Sequence, residues 1–489
     1  MIPQLRLRAV NSAPLAPGGD YVLYWMIAQR RVQANFALDY ALERARELGK
    51  PLLIFEALRC GYPWASERLH RFVLDGMADN ARQLAGTPVG YYAYLERQSG
   101  EGSGLLEALA ARAALVVTDE FPCFFLPRMV TAAGNKLAVQ LEQVDGNGLF
   151  PIWATDRIFG RAVDFRRFLQ KNLLPHLRER PRENPLAGLE LPRPAALPAA
   201  LLARWPNLAP ALVAGDPIEL GELPIDHQVR ATRDRGGAVA GAARLAEFVE
   251  RRLPRYVEGR TDLLRRATSE LSPYLHFGHV GAHQVFAAVA AEEGWHPGKL
   301  TGQVTASRSG FWGMRETAEG FLDEFLTWRE LGYNFCARVT HYDRYESLPD
   351  WARLTLDRHA SDPRPTLYSL DELEGARTHD EVWNAAQREL RRDGKIHNYL
   401  RMLWGKKILE WSASPREALE VLIHLNNKYA LDGRNPNSYS GIFWCLGRYD
   451  RPWFPERPIF GTIRYMSSDN TRRKLDLKPY LATYGPLGL

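Results

Sequence analysis

The chain has 489 residues and a formal net charge of +6, and 46% of its residues are hydrophobic and 25% are charged. This length exceeds what one hydrophobic core organises, so we expect two domains, and the mildly basic balance permits a polyanionic partner without requiring one. No apolar run reaches the roughly 20 residues that a membrane-spanning helix needs, which excludes an integral helical membrane protein.

Residues 21 to about 145 alternate between short apolar runs and amphipathic stretches. The apolar runs predict buried strands at YVLYWM (21–26), PLLIFE (51–56), VGYYAYL (89–95), ALVVTD (114–119) and LAVQLEQV (137–144). Strands alternating with helices are typical of a parallel sheet covered by helices on both faces. We therefore expect a Rossmann-like α/β domain over residues 20–178, although neither a GxGxxG nor a GxxxxGKS/T motif follows any of these strands.

The composition changes between residues 179 and 232, which are rich in proline and poor in strand or long-helix patterns. We interpret this segment as an interdomain linker. From residue 233 to residue 489 the periodicity is helical almost throughout, which predicts an all-α domain. Residues 294–313, GWHPGKLTGQVTASRSGFWG, interrupt the helical pattern and predict an inserted loop.

Several polar residues stand out within the helical half. Thr268, Ser269 and Ser272 lie where a predicted helix begins, and such hydroxyls either bind a phosphate together with free N–H groups or cap the helix. Glu324 and Trp328 lie four residues apart on one helix face. This pair suits a flat ligand with hydrogen-bonding edges, or it is a surface glutamate beside a half-buried tryptophan.

Three further features leave similar alternatives open. Asp432, in the polar loop of LNNKYALDGRNPNSYSG, could pair with Arg401 or belong only to a turn after a helix. Arg464 and the basic run RRK after it could hold a phosphate backbone or be solvated charges. Trp404 and Trp411 lie about two turns apart on one predicted helix, where core packing is the plain explanation.

The segments that carry these residues, taken in their order along the chain, resemble the photolyase/cryptochrome family, and specifically the class II cyclobutane-pyrimidine-dimer photolyases. The resemblance runs through YWMIAQRRVQANFAL, TSELSPYLHFGH, FLDEFLTWRELGYNFC, THDEVWNAAQRELRRDGKIHNYLRMLWGKKILEW, LDGRNPNSYSG and ERPIFGTIRYM, and so it covers nearly the whole chain. It implies an N-terminal antenna domain and a C-terminal helical domain, residues 233–489, that binds FAD and DNA. The loop at 294–313 is longer than we expect for a member of this group, and its role stays open.

The resemblance implies that the helical domain holds FAD in a bent, U-shaped form. By motif match, the residues that contact the cofactor are Tyr256, Thr268, Ser269, Leu271, Ser272, Arg329, Arg401, Asn426 and Asp432. Arg401 and Asp432 are expected to form an ion pair against the flavin. Asn426 is expected to face the N5 edge, where an amide can donate or accept a hydrogen bond.

Trp383, Trp404 and Trp411 correspond to the class II tryptophan relay, which carries electrons from the surface to the photoexcited flavin. Indole suits this role because its delocalised π-system can lose and regain an electron without breaking bonds. Core packing is compatible with the same positions. Whether Trp383 or Trp411 completes the main route with Trp404 stays open.

The resemblance also assigns the residues that bind the lesion. Trp328 and Trp444 correspond to the pair that cradles a pyrimidine dimer flipped out of the duplex. Glu324 corresponds to the carboxylate that hydrogen-bonds the pyrimidine edge and steadies the radical anion of the dimer. Met402 is expected to form an apolar wall of the pocket, and Arg464 to fill the gap left in the DNA.

The implied function is light-driven repair of UV-damaged DNA, a carbon–carbon lyase reaction in which photoexcited, reduced FAD gives an electron to the dimer and recovers it after both cyclobutane bonds split. No metal is required, in agreement with the lack of metal-ligand spacing among the four cysteines and twelve histidines. We expect an antenna chromophore of the 8-hydroxy-deazaflavin type in the N-terminal domain. We also expect a monomer in the reducing cytoplasm, since neither a signal peptide nor a disulfide framework is visible.

Three other functions stay open. A cryptochrome photoreceptor has the same fold and cofactor without repair, but such receptors commonly carry a long C-terminal extension, and this chain ends soon after RRKLDLKPYLATYG. An enzyme for the (6–4) photoproduct usually needs a histidine pair, for which His276 is the candidate. A flavin electron-transfer protein without a DNA partner would leave Glu324, Trp328, Trp444 and Arg464 without a purpose.

Overall fold

The structure is a computed structural model, and it describes residues 2–263 and 267–486. The backbone divides into two compact units. Unit 1 comprises residues 1–156, 172–246 and 270–294, and unit 2 comprises residues 157–171, 247–269 and 295–489. The predicted fold class is confirmed, because unit 1 contains the mainly parallel sheet whereas the regular elements of unit 2 are helical. The predicted domain boundaries stay a prediction.

Unit 1 is built on a six-stranded sheet in the order β1-β6-β5-β2-β3-β4. Its strands are β1 (Leu7–Ala9), β2 (Tyr21–Met26), β3 (Leu52–Leu58), β4 (Gly90–Leu95), β5 (Ala113–Asp119) and β6 (Leu141–Val144). All neighbouring pairs are parallel except β1 with β6, which is antiparallel. The central strands β2 and β5 are buried along their whole length, as expected for a sheet covered on both faces.

The α-helices of the described residues follow in chain order. They are α1 (Phe36–Glu47), α2 (Glu67–Leu84), α3 (Leu105–Ala110), α4 (Leu126–Lys136), α5 (Ala162–Asn172), α6 (Ala199–Arg204), α7 (Ala209–Ala214), α8 (Ala238–Glu247), α9 (Tyr256–Gly259), α10 (Ser272–His276), α11 (Ala282–Glu292), α12 (Glu316–Leu322), α13 (Arg329–Arg338), α14 (Asp350–Arg358), α15 (Leu370–Glu374), α16 (Glu381–Asp393), α17 (Asn398–Trp411), α18 (Pro415–Tyr429), α19 (Pro436–Cys445), α20 (Ser468–Lys474) and α21 (Lys478–Tyr484). Two π-helical turns, Phe248–Arg252 and Asp323–Trp328, continue α8 and α12.

Asp119 fills the place at the carboxyl ends of the central strands where α/β sheets usually bind ligands. Its carboxylate accepts hydrogen bonds from the N–H groups of Ile27, Ala28 and Gln29 at 2.8, 2.8 and 2.9 Å. The hydroxyl of Tyr24 donates to the other oxygen at 2.7 Å. An internal carboxylate therefore occupies these N–H groups, which agrees with the missing phosphate-binding motif.

The proline-rich segment 179–232 belongs by its contacts to unit 1. It contains the short helices α6 and α7, and Ala209 and Leu212 of α7 pack with Val73 and Met77 of α2. The segment therefore covers one flank of the α/β unit in addition to leading away from it.

Residues 296–313 of the inserted loop are held in unit 2 by one buried carboxylate. Glu319 of α12 accepts hydrogen bonds from the N–H groups of Trp312 and Met314 at 3.1 and 3.2 Å, and from that of Gly310. The Trp295 indole donates to the carbonyl of Trp312 at 2.7 Å. The loop is thus a built element that packs directly on the helix before the π-helical turn Asp323–Trp328.

Candidate functional site

The π-helical turn Asp323–Trp328 carries the first two predicted lesion residues, Glu324 and Trp328. Four residues make slightly less than one turn of a π-helix and slightly more than one turn of an α-helix. Both side chains therefore still project from one face, and both are partly exposed. Glu324 Oε1 accepts a hydrogen bond from Arg260 Nη1 at 2.6 Å in an ion pair whose side chains are 32% and 35% exposed.

Trp328 and Trp444 come together as predicted. Their ring centroids are 6.4 Å apart and their planes are inclined by 57°, so the two indoles form a wedge. Trp444 lies next to the C-terminal end of α19, and a third ring, that of Tyr449, meets Trp328 edge-on at 6.5 Å. Among the described residues, no side chain or carbonyl accepts a hydrogen bond from either indole N–H. The wedge is a partly exposed aromatic surface with unused donors at its edge.

Arg401 and Asp432 form the predicted ion pair. Arg401 Nη2 lies 3.5 Å from Asp432 Oδ1, and the two side chains are 22% and 15% exposed. Arg401 projects from α17, and Asp432 follows the end of α18. Asp432 therefore lies in the turn and also pairs with Arg401, so it does not belong only to the turn. The next residue of α17, Met402, is buried.

Asn426 is 4% exposed and lies in the last turn of α18. Its Nδ2 donates to Ser438 Oγ at 2.6 Å and to Asn427 Oδ1 at 3.3 Å. Among the described residues, none donates a hydrogen bond to Asn426 Oδ1. Whichever way the amide is turned, one end of a nearly buried polar group stays available to a ligand.

Tyr256 packs its ring in an aromatic cluster with Phe248 and Phe321, at centroid distances of 6.1 and 5.4 Å. Burial raises the pKa of Tyr256, so the hydroxyl stays neutral. Thr268 accepts a hydrogen bond from Arg252 Nη1 through its carbonyl at 3.1 Å. Among the described residues, the Thr268 hydroxyl has no hydrogen-bond partner, which leaves it available to a ligand.

The remaining predicted cofactor residues are distributed over both units. Leu271 and Ser272 belong to unit 1, together with α10, whereas Thr268 and Ser269 belong to unit 2. Leu271 occupies the N-cap of α10 and no side chain caps that helix, so the structure does not support the capping alternative for the hydroxyls. Arg329 is buried, and its guanidinium lies over the Tyr333 ring at 4.5 Å and donates to the Tyr333 hydroxyl at 3.3 Å.

The three predicted relay tryptophans form one connected group. The Trp383 indole, which is fully buried, lies 5.6 Å from the Trp411 ring and donates its N–H to the carbonyl of Trp404 at 3.0 Å. The Trp404 N–H donates to Gln387 Oε1 at 2.9 Å. The Trp411 ring also meets the exposed His379 at 5.4 Å. Trp383 therefore contacts the ring of Trp411 and the backbone carbonyl of Trp404, and the buried Trp411 ring meets an exposed histidine.

Arg464 lies on a hairpin-like segment with exposed aromatic side chains. Its guanidinium is 4.9 Å from the centroid of the Trp453 ring, and Trp453 and Phe454 are 36% and 77% exposed. The backbone N–H of Trp453 donates to the carbonyl of Thr462 at 2.9 Å, which holds the two sides of this hairpin-like segment together. Exposed apolar rings beside an arginine form a surface that suits unpaired bases and phosphates.

Three contributors to this geometry were missed by the sequence reasoning. Arg260 is the partner of Glu324, Tyr449 adds the third ring at Trp328, and Gln387 accepts from Trp404. Gln387 lies four residues after Trp383 on α16, so helical spacing could have suggested it. Arg260 is 64 residues from Glu324, and no local pattern connects the two.

Within residues 2–263 and 267–486, no helix is both long enough and apolar enough to cross a bilayer. The same part of the chain holds no group of three or more histidine, cysteine, aspartate or glutamate side chains placed to bind a metal ion.

Comparison with solved structures supports the fold. A bacterial class III photolyase from Agrobacterium tumefaciens has a TM-score of 0.67 at 17% identity, and the alignment covers 96% of this chain and 87% of that chain. A cryptochrome from Synechocystis sp. PCC6803 has a TM-score of 0.66 at 15% identity, with coverages of 99% and 89%. No family model matches the sequence.

Curated relatives are closer in sequence. The chain is 32% identical to deoxyribodipyrimidine photo-lyases from Oryza sativa and Potorous tridactylus, over 98% and 95% of its length and 90% and 81% of theirs. A deoxyribodipyrimidine photo-lyase from Methanothermobacter thermautotrophicus is 35% identical over 98% of both chains. This level of identity extends over nearly the whole chain and is not confined to one domain. The chain therefore belongs to the deoxyribodipyrimidine photo-lyase family.

Proposed function

We propose that this protein is a light-driven DNA repair enzyme that splits cyclobutane pyrimidine dimers in UV-damaged DNA, acting as a monomer of class II type. The observation that carries the proposal is the wedge of Trp328 and Trp444 with the Glu324 carboxylate on the same helix face. The family membership and the order of the motifs support it. Bound FAD, when reduced, supplies the electron that light transfers to the dimer.

The residues of unit 2 suit this cofactor. The free end of the Asn426 amide offers a hydrogen bond to a flavin edge, and the Arg401–Asp432 pair supplies a cation and an anion at 3.5 Å. Tyr256 would add an apolar surface, and the Thr268 hydroxyl would contact a phosphate. These roles, like those of Ser269, Leu271, Ser272 and Arg329, are part of the proposal.

Glu324 would hold the lesion by one of its two oxygens. Arg260 occupies Oε1, and among the described residues none donates to Oε2. The carboxylate is therefore fixed in orientation before the lesion arrives and keeps one acceptor for a pyrimidine N–H. Such pre-organisation lowers the ordering cost of binding. Met402 would form the apolar wall beside it.

The segment around Arg464 would engage the DNA from which the dimer is extruded. Flipping a dimer out of the helix leaves orphaned bases and a gap. The exposed rings of Trp453 and Phe454 can stack on bases of any sequence, and the Arg464 charge can meet phosphates without reading bases.

The tryptophan contacts support a relay of class II type. The Trp383 indole meets the Trp411 ring and donates to the backbone carbonyl of Trp404, which supports a route from Trp411 through Trp383 to Trp404. We propose this order, in which Trp404 is the inner member on the helix that carries Arg401.

An antenna chromophore would bind in unit 1. Aromatic side chains cluster beside the loops after β3 and β5. Tyr62 stacks on the buried His70 of α2 at 5.8 Å, and Trp64 stacks on Phe124 at 6.0 Å. A planar pigment such as an 8-hydroxy-deazaflavin suits such a cluster. An absorption band beyond those of FAD in the purified protein would test this part of the proposal.

The central test is photorepair. Protein with reduced flavin is illuminated with an oligonucleotide that contains one thymine dimer, and the restoration of intact thymines is measured by chromatography. A photoreceptor without repair activity, to which the cryptochrome-like fold also points, would respond to light and leave the dimer unchanged. That outcome would refute the enzyme proposal.

A further inference from the structure

We infer that Lys406 is a positioning residue of the lesion site, because its ammonium caps the C-terminal end of α19 and thereby fixes the indole of Trp444. This inference rests on the proposed role of Trp444 in holding the dimer. Lys406 lies on α17, two residues after Trp404, and only 4% of it is exposed.

The contact itself is specific. Lys406 Nζ donates a hydrogen bond to the carbonyl oxygen of Cys445 at 2.5 Å, and among the described residues this is the only acceptor for the ammonium. The last carbonyls of a helix have no partner within the helix. Cys445 is the last residue of α19, so Lys406 satisfies a helix-end carbonyl from a neighbouring helix and places its charge at the negative end of the helix dipole.

The backbone of α17 closely approaches the Cys445 side chain of α19 beside this contact. A Cβ atom added at Gly405 would lie 2.4 Å from the sulfur of Cys445, so a side chain there would displace the end of α19 or the Cys445 side chain. Lys406 and Cys445 are the direct neighbours of Gly405 and Trp444. The ammonium therefore acts where the position of the Trp444 backbone is decided.

Burial makes this ammonium costly. It lowers the pKa of Lys406 to about 8, with an opposing effect of Cys445 and Asp450 and a reinforcing effect of Arg464. These are the charged or titratable groups that act on the ammonium among the described residues. Burial also raises the pKa of the Cys445 thiol to about 11.

The direction of the Lys406 pKa shift shows how the buried charge affects the free energy of unfolding. The folded protein binds the Lys406 proton less tightly than the unfolded chain does, so the free energy of unfolding gains from deprotonation as the pH rises above about 8. A neutral Met side chain at this position removes the desolvation cost of the ammonium but leaves the Cys445 carbonyl without its donor, and these two effects on the free energy of unfolding have opposite signs. The hydrogen bond to the end of α19 is therefore what the buried charge contributes.

The experiment compares the wild-type holoenzyme with Lys406→Met, which is never charged, and Lys406→Arg, which is always charged. Binding of an oligonucleotide with one thymine dimer is measured in the dark by fluorescence anisotropy between pH 6.5 and 9. Thermal unfolding of each protein is followed in the same buffers. Lys136→Met, at an exposed lysine of unit 1, is the matched control and should match wild type.

We expect Lys406→Met to bind the dimer about tenfold more weakly at pH 7 with an unfolding midpoint close to that of wild type. Wild-type affinity should fall towards that of the Met variant as the pH passes 8, whereas Lys406→Arg should show no such step. In a Trp444→Phe background, Lys406→Met should cost no further affinity.

Wild-type-like affinity in the Met variant would overturn the inference, and so would a loss of affinity that only follows a loss of stability. If the wild-type protein itself does not prefer dimer-containing over undamaged DNA, the proposed function fails instead. The two failures are therefore distinguishable in one titration.

Discussion

Replacing Glu324 by glutamine tests whether this carboxylate serves the lesion or the fold. The substitution keeps the shape of the side chain and removes its charge. Among the described residues, the carboxylate forms one ion pair, with Arg260 at 2.6 Å, and both side chains are about one-third exposed. A partly exposed ion pair of this kind contributes about 0.2–1 kcal/mol to folding. The free energy of unfolding should therefore fall by less than about 1 kcal/mol.

The effect on repair should be larger. If Glu324 accepts a hydrogen bond from a pyrimidine N–H in the closed site, the charged bond contributes about 1.5–3 kcal/mol. Loss of that contribution corresponds to roughly a 10- to 150-fold decrease in dimer repair by the reduced enzyme. Dark binding and repair per absorbed photon are measured separately, because a neutral amide can still hold the lesion while steadying its negative charge less well.

The matched control for this experiment is Glu346→Gln. Glu346 forms a similar ion pair with Arg416, at 2.5 Å, and both side chains are exposed on unit 2. We expect this variant to repair dimers like wild type. Repair by Glu324→Gln within twofold of wild type would refute the assigned role, and so would a loss of repair that Glu346→Gln reproduces.

Three other substitutions probe separate parts of the molecule. Trp404→Phe should block photoreduction of the oxidised flavin, followed by absorption, while sparing repair by enzyme that is chemically reduced beforehand; equal loss of both would make Trp404 only structural. Arg464→Ala should weaken binding to dimer-containing DNA and lower the slope of log affinity against log salt by about 1, measured by anisotropy. Asp119→Ala should lower the free energy of unfolding of unit 1 by at least about 3 kcal/mol in urea, because three buried N–H groups and the Tyr24 hydroxyl lose their acceptor.

Regular elements with strong periodicity could be predicted from the sequence. The strand YVLYWM and the helices of ERLHRFVLDGMADNARQL and PREALEVLIHLNNKY lie where the apolar patterns place them. Strand β1 was missed because its three residues carry no pattern, and only pairing with β6 makes them a strand. The π-helical turn was missed because six residues are too few to separate a period of 4.4 from one of 3.6.

Charged side chains in the site were the harder part. The pair Lys406 and Lys407 reads as a polar face of α17, yet both residues are buried. Lys406 reaches the end of α19, 39 residues further along the chain, which no local pattern indicates. The partner of Glu324 was hidden for the same reason. Local pattern identifies which helix a charge belongs to, whereas tertiary packing decides whether that charge faces water or a neighbouring helix end.

Trp383 and Trp404 differ from Trp328 and Trp444 in how their indole N–H groups are used. Trp383 and Trp404 are buried and donate to a carbonyl and to Gln387, so their rings are locked in place. Trp328 and Trp444 are partly exposed, and their indole N–H groups donate to none of the described residues. A relay that passes electrons needs fixed rings at fixed separations, while a pocket that takes a ligand needs rings with unused donors. Among the proposed relay residues, Trp411 has no acceptor for its indole N–H in the described part of the chain, and burial is what it shares with Trp383 and Trp404. Burial therefore distinguishes the proposed relay from the proposed pocket, and indole hydrogen bonds add to it at two of the three positions.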